Sequence, residues 1–240
     1  FIGLDNYRYM FADETLHKAI KNTFTFAAIV VPTQIFISLI LANILEKKLK
    51  FTSLFRVIFF LPMVAATTSV MLLFMYVFGV QGPFNDFLIN IGVVDFPIDF
   101  FQNTKYSIYF IAITSIWQSI PFSTIVFLAA FSDVDKSLYE AADLDGATGI
   151  KKFVKITLPE ILPTVIFIFV ISVVGSLQLF DQSYIVDAPD YSSASIASMI
   201  YQYAFDPSFN SMGYAAAVSV IFGFVILVIS VIIRRFDRKD

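Results

Sequence analysis

A chain of 240 residues that is 58% hydrophobic, 17% aromatic and only 15% charged carries more apolar surface than an ordinary soluble domain, so it is expected to sit in a membrane. The absence of cysteine excludes disulfides and thiolate metal sites, and a single histidine, His17, leaves no basis for a histidine-based metal centre or triad. The formal net charge of -3 excludes little, because here the placement of charge carries the information.

In chain order, residues 4–20 read as a short amphipathic helix, with His17 as a solvated residue. Five apolar stretches then follow, each lacking Asp, Glu, Lys and Arg and each near the length of about 20 residues that a bilayer core requires. The first is Asn22–Leu45, interrupted by Pro32 and Gln34. The second is Val57–Val80, with Pro62 near its start. The third is Tyr106–Ser132, carrying Trp117, Gln118 and Pro121. Leu162–Phe180 is the fourth and Met212–Ile233 the fifth, with a second amphipathic segment over 192–205 between them. The amphipathic segments suit either a position at the membrane surface or a docking surface for an external partner.

Charge orients these spans. Lys47, Lys48, Lys50 and Arg56 precede span two, Lys136, Lys151, Lys152 and Lys155 precede span four, and Arg234, Arg235, Arg238 and Lys239 follow span five. Twelve of the 16 basic residues thus occupy alternate loops, whereas loops 81–105 and 181–211 hold one lysine against seven acids. The positive-inside rule places the first set in the cytoplasm, so the fragment runs from an outside N-terminus to a cytoplasmic C-terminus. An outside N-terminus that begins at Phe1 is expected to follow an upstream span. The expected division is an external segment 1–19, a membrane domain 20–233 and a cytoplasmic tail 234–240, in a fold of five visible transmembrane helices and six or more in the full chain.

Coupling ions generally need ionisable groups at membrane depth, and the spans have none, which disfavours a proton-driven mechanism. No GxxxxGK[ST] loop occurs, so the chain is expected to hold no ATPase and no cofactor of its own. Polar residues do occur within the spans. Ser115, Ser119 and Phe122 share one helical face with Gln118 beside it, and Gln34, Ser123, Ser176 and Gln178 add amides and hydroxyls. Two readings stay open: hydrogen bonds between helices, or a translocation path for a hydroxyl-rich solute with Ser115, Gln118, Ser119, Phe122, Ser176 and Gln178 on its wall. Pro32, Pro62 and Pro121 are expected to kink or locally open their helices.

One compact polar element breaks the pattern: "EAADLDGATGIKKFVKITLP", residues 140–159, in the cytoplasmic loop 133–160. Ser137 and Glu140 fit a capping box. Leu138, Ala141 and Ala142 form a narrow apolar face, Gly146 suits a left-handed helix stop, and a second short helix is expected over Thr148–Ile156. Such a knob is either a capped loop or a plug for a groove on a cytoplasmic protein.

Its spelling resembles the EAA loop of the permease subunits of binding-protein-dependent ABC importers. That pattern is E-A-A, three residues, G, nine residues, I, one residue, L-P; here it reads Glu140, Ala141, Ala142, Gly146, Ile156, Leu158 and Pro159. The segments "FIGLDNYRYM", "SIWQSIPFSTIVFLAAFSDVDKSLYEAADLDGA" and "MGYAAAVSVIFGFVILVI" are similar to the carbohydrate-uptake branch of that family, maltose and glycerol-phosphate permeases among them. One departure is "VDAPDY", residues 186–191, where the family often has a glycine-rich T-x-G-G-P turn.

The resemblance implies an all-α integral membrane protein with the type I ABC importer permease fold and a cytoplasmic coupling-helix hairpin. It implies no catalysis in this chain: a cytoplasmic nucleotide-binding ATPase, which binds ATP and magnesium, would grip the hairpin through the EAA residues. The other expected partners are a second homologous permease subunit, an extracytoplasmic solute-binding protein and membrane lipid, with no nucleic acid. The cargo implied is a sugar or sugar-like solute, contacted from spans three and four. A secondary carrier or channel subunit, or a membrane scaffold, is the alternative.

Overall fold

The computed structural model describes residues 2–46, 52–209 and 211–237. The expected basic residues Lys47, Lys48, Lys50, Arg238 and Lys239 lie outside them. No strand occurs among the described residues. Five helical stretches, Glu14–Glu46, Thr67–Asn90, Ser107–Asp133, Leu162–Val186 and Met212–Ile233, are long and apolar enough to cross a bilayer.

The N-terminal amphipathic segment is not one short helix. Helix α1 (Asp5–Met10) ends early, and α2 (Glu14–Glu46) runs for 33 residues straight into the first span, which places His17 on a helix. At about 1.5 Å per residue α2 measures roughly 50 Å, well beyond the hydrocarbon thickness of about 30 Å. Pro32 lies within α2 and Pro121 within α6 (Ser107–Asp133) without interrupting either helix.

The second span does not form one helix as expected. It is split into α3 (Thr52–Val64) and α4 (Thr67–Phe78), with Ala66 extended at φ -60°, ψ 131°. Pro62 already removes one backbone donor near the end of α3, and the break follows three residues later. A break at membrane depth leaves carbonyls that require donors from neighbouring helices. Gln118 of α6 supplies one: its Nε2 donates to the Ala65 carbonyl at 3.1 Å and lies 3.4 Å from the Thr67 hydroxyl.

The remaining elements are α5 (Pro83–Asn90), α7 (Lys136–Leu144), α8 (Gly149–Lys152), a π-helical turn (Phe153–Thr157), α9 (Leu158–Glu160), α10 (Leu162–Leu177), α11 (Asp181–Val186), a 3-10 turn (Pro189–Tyr191), α12 (Ile196–Phe205) and α13 (Met212–Asp237). Helices α2 and α6 run against each other along much of their length and α10 packs on α2. Two of the resulting apolar cores lie along α6. The one nearer the start of α6 joins Phe26, Met71, Phe101 and Ile111 with Leu179 and Val186. It contains a chain of rings in which Phe110 meets Phe100 at 4.4 Å, Phe101 at 5.5 Å and Phe78 at 5.7 Å. The other, at the hairpin end, joins Ala42, Phe127, Phe131, Val134, Ile161 and Ile168.

The second amphipathic segment is packed into the fold. Serine 195 caps α12 in a reciprocal box with Ser198. The helix buries Ile196, Met199 and Tyr203 against α2 and α13. Asn22 of α2 clamps the preceding turn by donating to the Tyr191 and Ala194 carbonyls at 2.9 and 3.1 Å.

Candidate functional site: a polar cavity above a helical hairpin

Along α6 the side chains change character in order: Ile108, Ile111 and Ala112 belong to the first core, Ser115, Gln118, Ser119, Phe122 and Ser123 line a cavity, and Phe127 and Phe131 belong to the second core. Helix α2 repeats the order, with Phe26 and Val30, then Gln34, then Ala42. Because both helices place their polar stretch at the same level, a cavity of about 390 Å³ opens between the two cores. That volume falls in the range of about 300–1,000 Å³ typical of small-molecule sites.

Ser115, Gln118, Ser119, Phe122, Ser176 and Gln178 all lie on its wall. Thr67, at the break in the second span, and Asp181 and Gln182, which open α11, join them. Some of these groups are committed to partners within the fold. The Gln34 amide donates to the buried Ser172 hydroxyl, and the Ser119 hydroxyl donates to the Ile116 carbonyl at 3.1 Å. The Ser115 hydroxyl differs: among the described residues it is the only buried side-chain polar atom without a hydrogen-bond partner. A buried hydroxyl left without a partner is destabilising, and this one sits on the wall of a polar cavity. The arrangement offers hydroxyl and amide groups and the Asp181 carboxylate beside Phe26 and Phe122, hydrogen-bonding groups next to apolar ones as in a small-molecule site.

The hairpin lies immediately beyond the second core. Its first helix starts one residue before Ser137, and its cap is Asp135 rather than the expected Ser137–Glu140 box: the Asp135 carboxylate accepts from the Ser137 N–H at 2.9 Å. A carboxylate at a helix N-terminus is both a cap and a complement to the helix dipole. The Ser137 N–H and hydroxyl hold the Asp135 carboxyl below the usual carboxylate range. Gly146 ends α7 at φ +68°. Around it the Ala147 N–H donates to the Ala142 carbonyl at 2.9 Å and the Gly146 N–H to the Asp143 carbonyl at 3.1 Å, the paired bonds of a Schellman stop.

The EAA residues divide by face. Ala142 is buried, whereas Glu140 and Ala141 are exposed, because neighbouring helical residues point about 100° apart. Ile156 packs against the second core, Leu158 is half-buried and Pro159 is exposed at the first turn of α9. The expected second helix is only in part α-helical, widening to a π turn over Phe153–Thr157. Two contacts close the hairpin: Tyr139 and Thr157 hydroxyls at 2.7 Å, and a Lys152–Asp143 ion pair. Leu144 and Ile150 stand at the tip, 91% and 82% exposed. Sequence reasoning passed over both, although an apolar residue beside a helix stop in a charged loop was the available signal.

A helical membrane domain with a polar cavity between two apolar cores, and a capped hairpin joining two cavity-lining helices, defines a membrane-spanning transport subunit. The chain belongs to the family of binding-protein-dependent transport system inner membrane components, which it matches over residues 34–239. It is 33% identical over 237 residues to the lactose transport system permease protein of Rhizobium radiobacter, covering 96% of this chain and 78% of that protein. The arabinooligosaccharides transport system permease protein of Bacillus subtilis is 31% identical, with 97% of this chain and 74% of that protein covered. A crystal structure of a bacterial ABC transporter involved in the import of the acidic polysaccharide alginate contains a chain with TM-score 0.90 at 25% identity. That match covers 100% of this chain and 84% of the other.

Proposed function

We propose that this chain forms part of the translocation path of an ATP-driven sugar importer. In this reading the cavity receives the sugar, and a separate cytoplasmic ATPase, which binds ATP and magnesium, grips the hairpin 133–160. A second homologous permease completes the path, and an external solute-binding protein delivers the cargo from the side on which α1 and α12 lie. The reading draws on the sugar-transport names of the relatives and on a neighbouring structure solved with an alginate pentasaccharide-bound periplasmic protein.

The single observation that carries it is the continuity of α6 from cavity to hairpin. Ser115, Gln118, Ser119 and Phe122 line the cavity from α6, whose last residue is Asp133, three before α7 begins. On the return, α10 carries Ser172 and Ser176 on the same cavity. The Tyr139–Thr157 contact holds the two arms of the hairpin together, and the packing of Tyr139, Phe153 and Ile156 on the second core ties it to the bundle. A push on the exposed tip at Leu144 and Ile150 is therefore delivered to the helices that carry the cavity wall. Packed helices shift between discrete arrangements rather than bend continuously.

The test is reconstitution of the complete transporter in proteoliposomes. ATP-dependent accumulation of sugar that requires both the ATPase and the binding protein is expected. Accumulation driven by an ion gradient with the ATPase omitted would overturn the reading.

A further inference from the structure

Four aromatic rings form a contiguous patch from the cavity to the end of α12, in which Phe180, Tyr184 and Tyr201 each touch the other two and Phe205 touches Tyr201. Phe180, on the cavity wall, stacks on Tyr184 with centroids 5.5 Å apart and planes 14° apart. Tyr201 meets Phe180 at 5.5 Å and Tyr184 at 5.1 Å, both edge-on, and touches Phe205 at 5.1 Å. The patch is two i, i+4 pairs set side by side, one beginning just ahead of α11 and one on α12. Tyr203, between the members of the second pair, turns the opposite way and is buried with its hydroxyl on Asp13.

Little covers this patch. Tyr184, Tyr201 and Phe205 are 44%, 39% and 61% exposed, and a contiguous exposed aromatic patch marks a contact surface. Its neighbours define what it contacts. Gln178, Asp181 and Gln182 flank Phe180 on the cavity wall, so the patch opens into hydrogen-bonding groups rather than into an aliphatic lipid-facing surface. Flat rings beside amides and a carboxylate suit a sugar unit, which has one face of C–H bonds and a rim of hydroxyls. The cavity has the size of a small-molecule site, so the further units of a longer glycan require a surface beyond it.

We propose that Phe180, Tyr184, Tyr201 and Phe205 form a stacking track that holds successive units of an oligosaccharide as its leading end enters the cavity. The track rests on the sugar-import reading and adds a preference for chain length to it. Truncating its rings lowers uptake of long chains, because only these reach Tyr201 and Phe205.

The experiment uses the complete transporter in proteoliposomes with a labelled pool of arabino-, malto- and cello-oligosaccharides of one to six units. The size distribution of the imported sugar is compared between wild type, Tyr184→Leu/Tyr201→Leu and Tyr201→Trp. Each aromatic contact removed corresponds to a factor of roughly 3 to 10, so the double variant is expected to lose long-chain import by about that factor or more while one- and two-unit import changes less than about twofold. Tyr201→Trp, which keeps a flat ring, retains the wild-type profile. Equal loss at every length, or a complex that dissociates on size-exclusion chromatography, assigns the rings to a subunit contact and overturns the track. An unchanged profile overturns it as well, as does a wild type confined to one- and two-unit sugars; in those cases sugar import itself stands. A wild type that imports nothing from the pool rejects the cargo class and the track together.

Discussion

Gly146 is the residue on which the hairpin turns. It has open space where a Cβ would stand, so the obstacle to substitution is its φ of +68° alone. Placing an ordinary residue there costs about 1–2 kcal/mol, less for Asn. Gly146→Asn is therefore expected to keep ATP-driven uptake near wild type and Gly146→Ala to lower it. Gly146→Pro, which cannot reach this φ and removes the N–H bonded to Asp143, is expected to abolish uptake while ATPase activity and membrane insertion persist. The three rates in proteoliposomes check the order. The turn over 187–191 solves the opposite problem: Asp187, Asp190 and Tyr191 adopt φ of 38°, 56° and 56° without a glycine among them. Asn22, the Lys18–Asp190 ion pair and the Ser193 hydroxyl on the Ala188 N–H hold that turn. Asp187 is exposed, so Asp187→Gly relieves strain and is expected to raise stability by up to about 1 kcal/mol, read as a higher melting temperature in detergent.

Among the elements, the split second span is what propensity and hydropathy do not reveal. Val57–Val80 is apolar throughout, and nothing local demands a break at Ala65–Ala66 rather than at Pro62. The partner that stabilises the break comes from another helix, Gln118 on α6. Gln118→Leu leaves the Ala65 carbonyl without that donor, and a lost interhelical bond of this kind costs about 1 kcal/mol. A lower melting temperature accompanied by lower uptake is expected. Ser115→Ala is the informative contrast. Its hydroxyl has no partner in the fold to lose, so the variant is expected to melt at or slightly above wild type while sugar affinity falls, which equilibrium binding to the assembled transporter measures. The hairpin's cap is a smaller case of the same difficulty. Asp135 and Ser137 both suit an N-cap, and the choice between them followed from where Val134 is buried in the second core.

At the scale of the whole molecule, one carboxylate ties the start of α2 to α12 and α13. Asp13 accepts from the Tyr203 hydroxyl at 2.5 Å, the Tyr214 hydroxyl at 2.8 Å and the Leu16 N–H at 3.0 Å, joining α2 to α12 and α13. Burial pushes the Asp13 carboxyl upward, but the hydrogen bonds from Tyr203, Leu16, Tyr214 and Thr15 together hold it below its ordinary value of 3.8. Burial, followed by the bond to Asp13, raises the Tyr203 phenol. A carboxyl with a lowered pKa in the fold stabilises fully above its unfolded value and loses that contribution only as the pH falls through the folded one. The latch is therefore expected to be constant from neutral pH down to about 4 and to weaken below it. Asp13→Ala is expected to cost about 1–3 kcal/mol at neutral pH, a gap that narrows in strong acid when melting is followed against pH.

Much was already legible without coordinates. Span count follows from hydropathy, because a bilayer accepts only helices of sufficient apolar length, but the second span, expected over Val57–Val80, is found over Thr67–Asn90; the hairpin's Gly146 stop follows from a backbone conformation that glycine adopts most readily. Tertiary structure alone decided that five polar residues and Phe122, from two distant segments, share one cavity and that Ser115 has no partner there. It alone brought Phe180, Tyr184, Tyr201 and Phe205 into one patch. Such features depend on the register in which helices pack, and periodicity within a single helix says which face is polar but not what that face will meet.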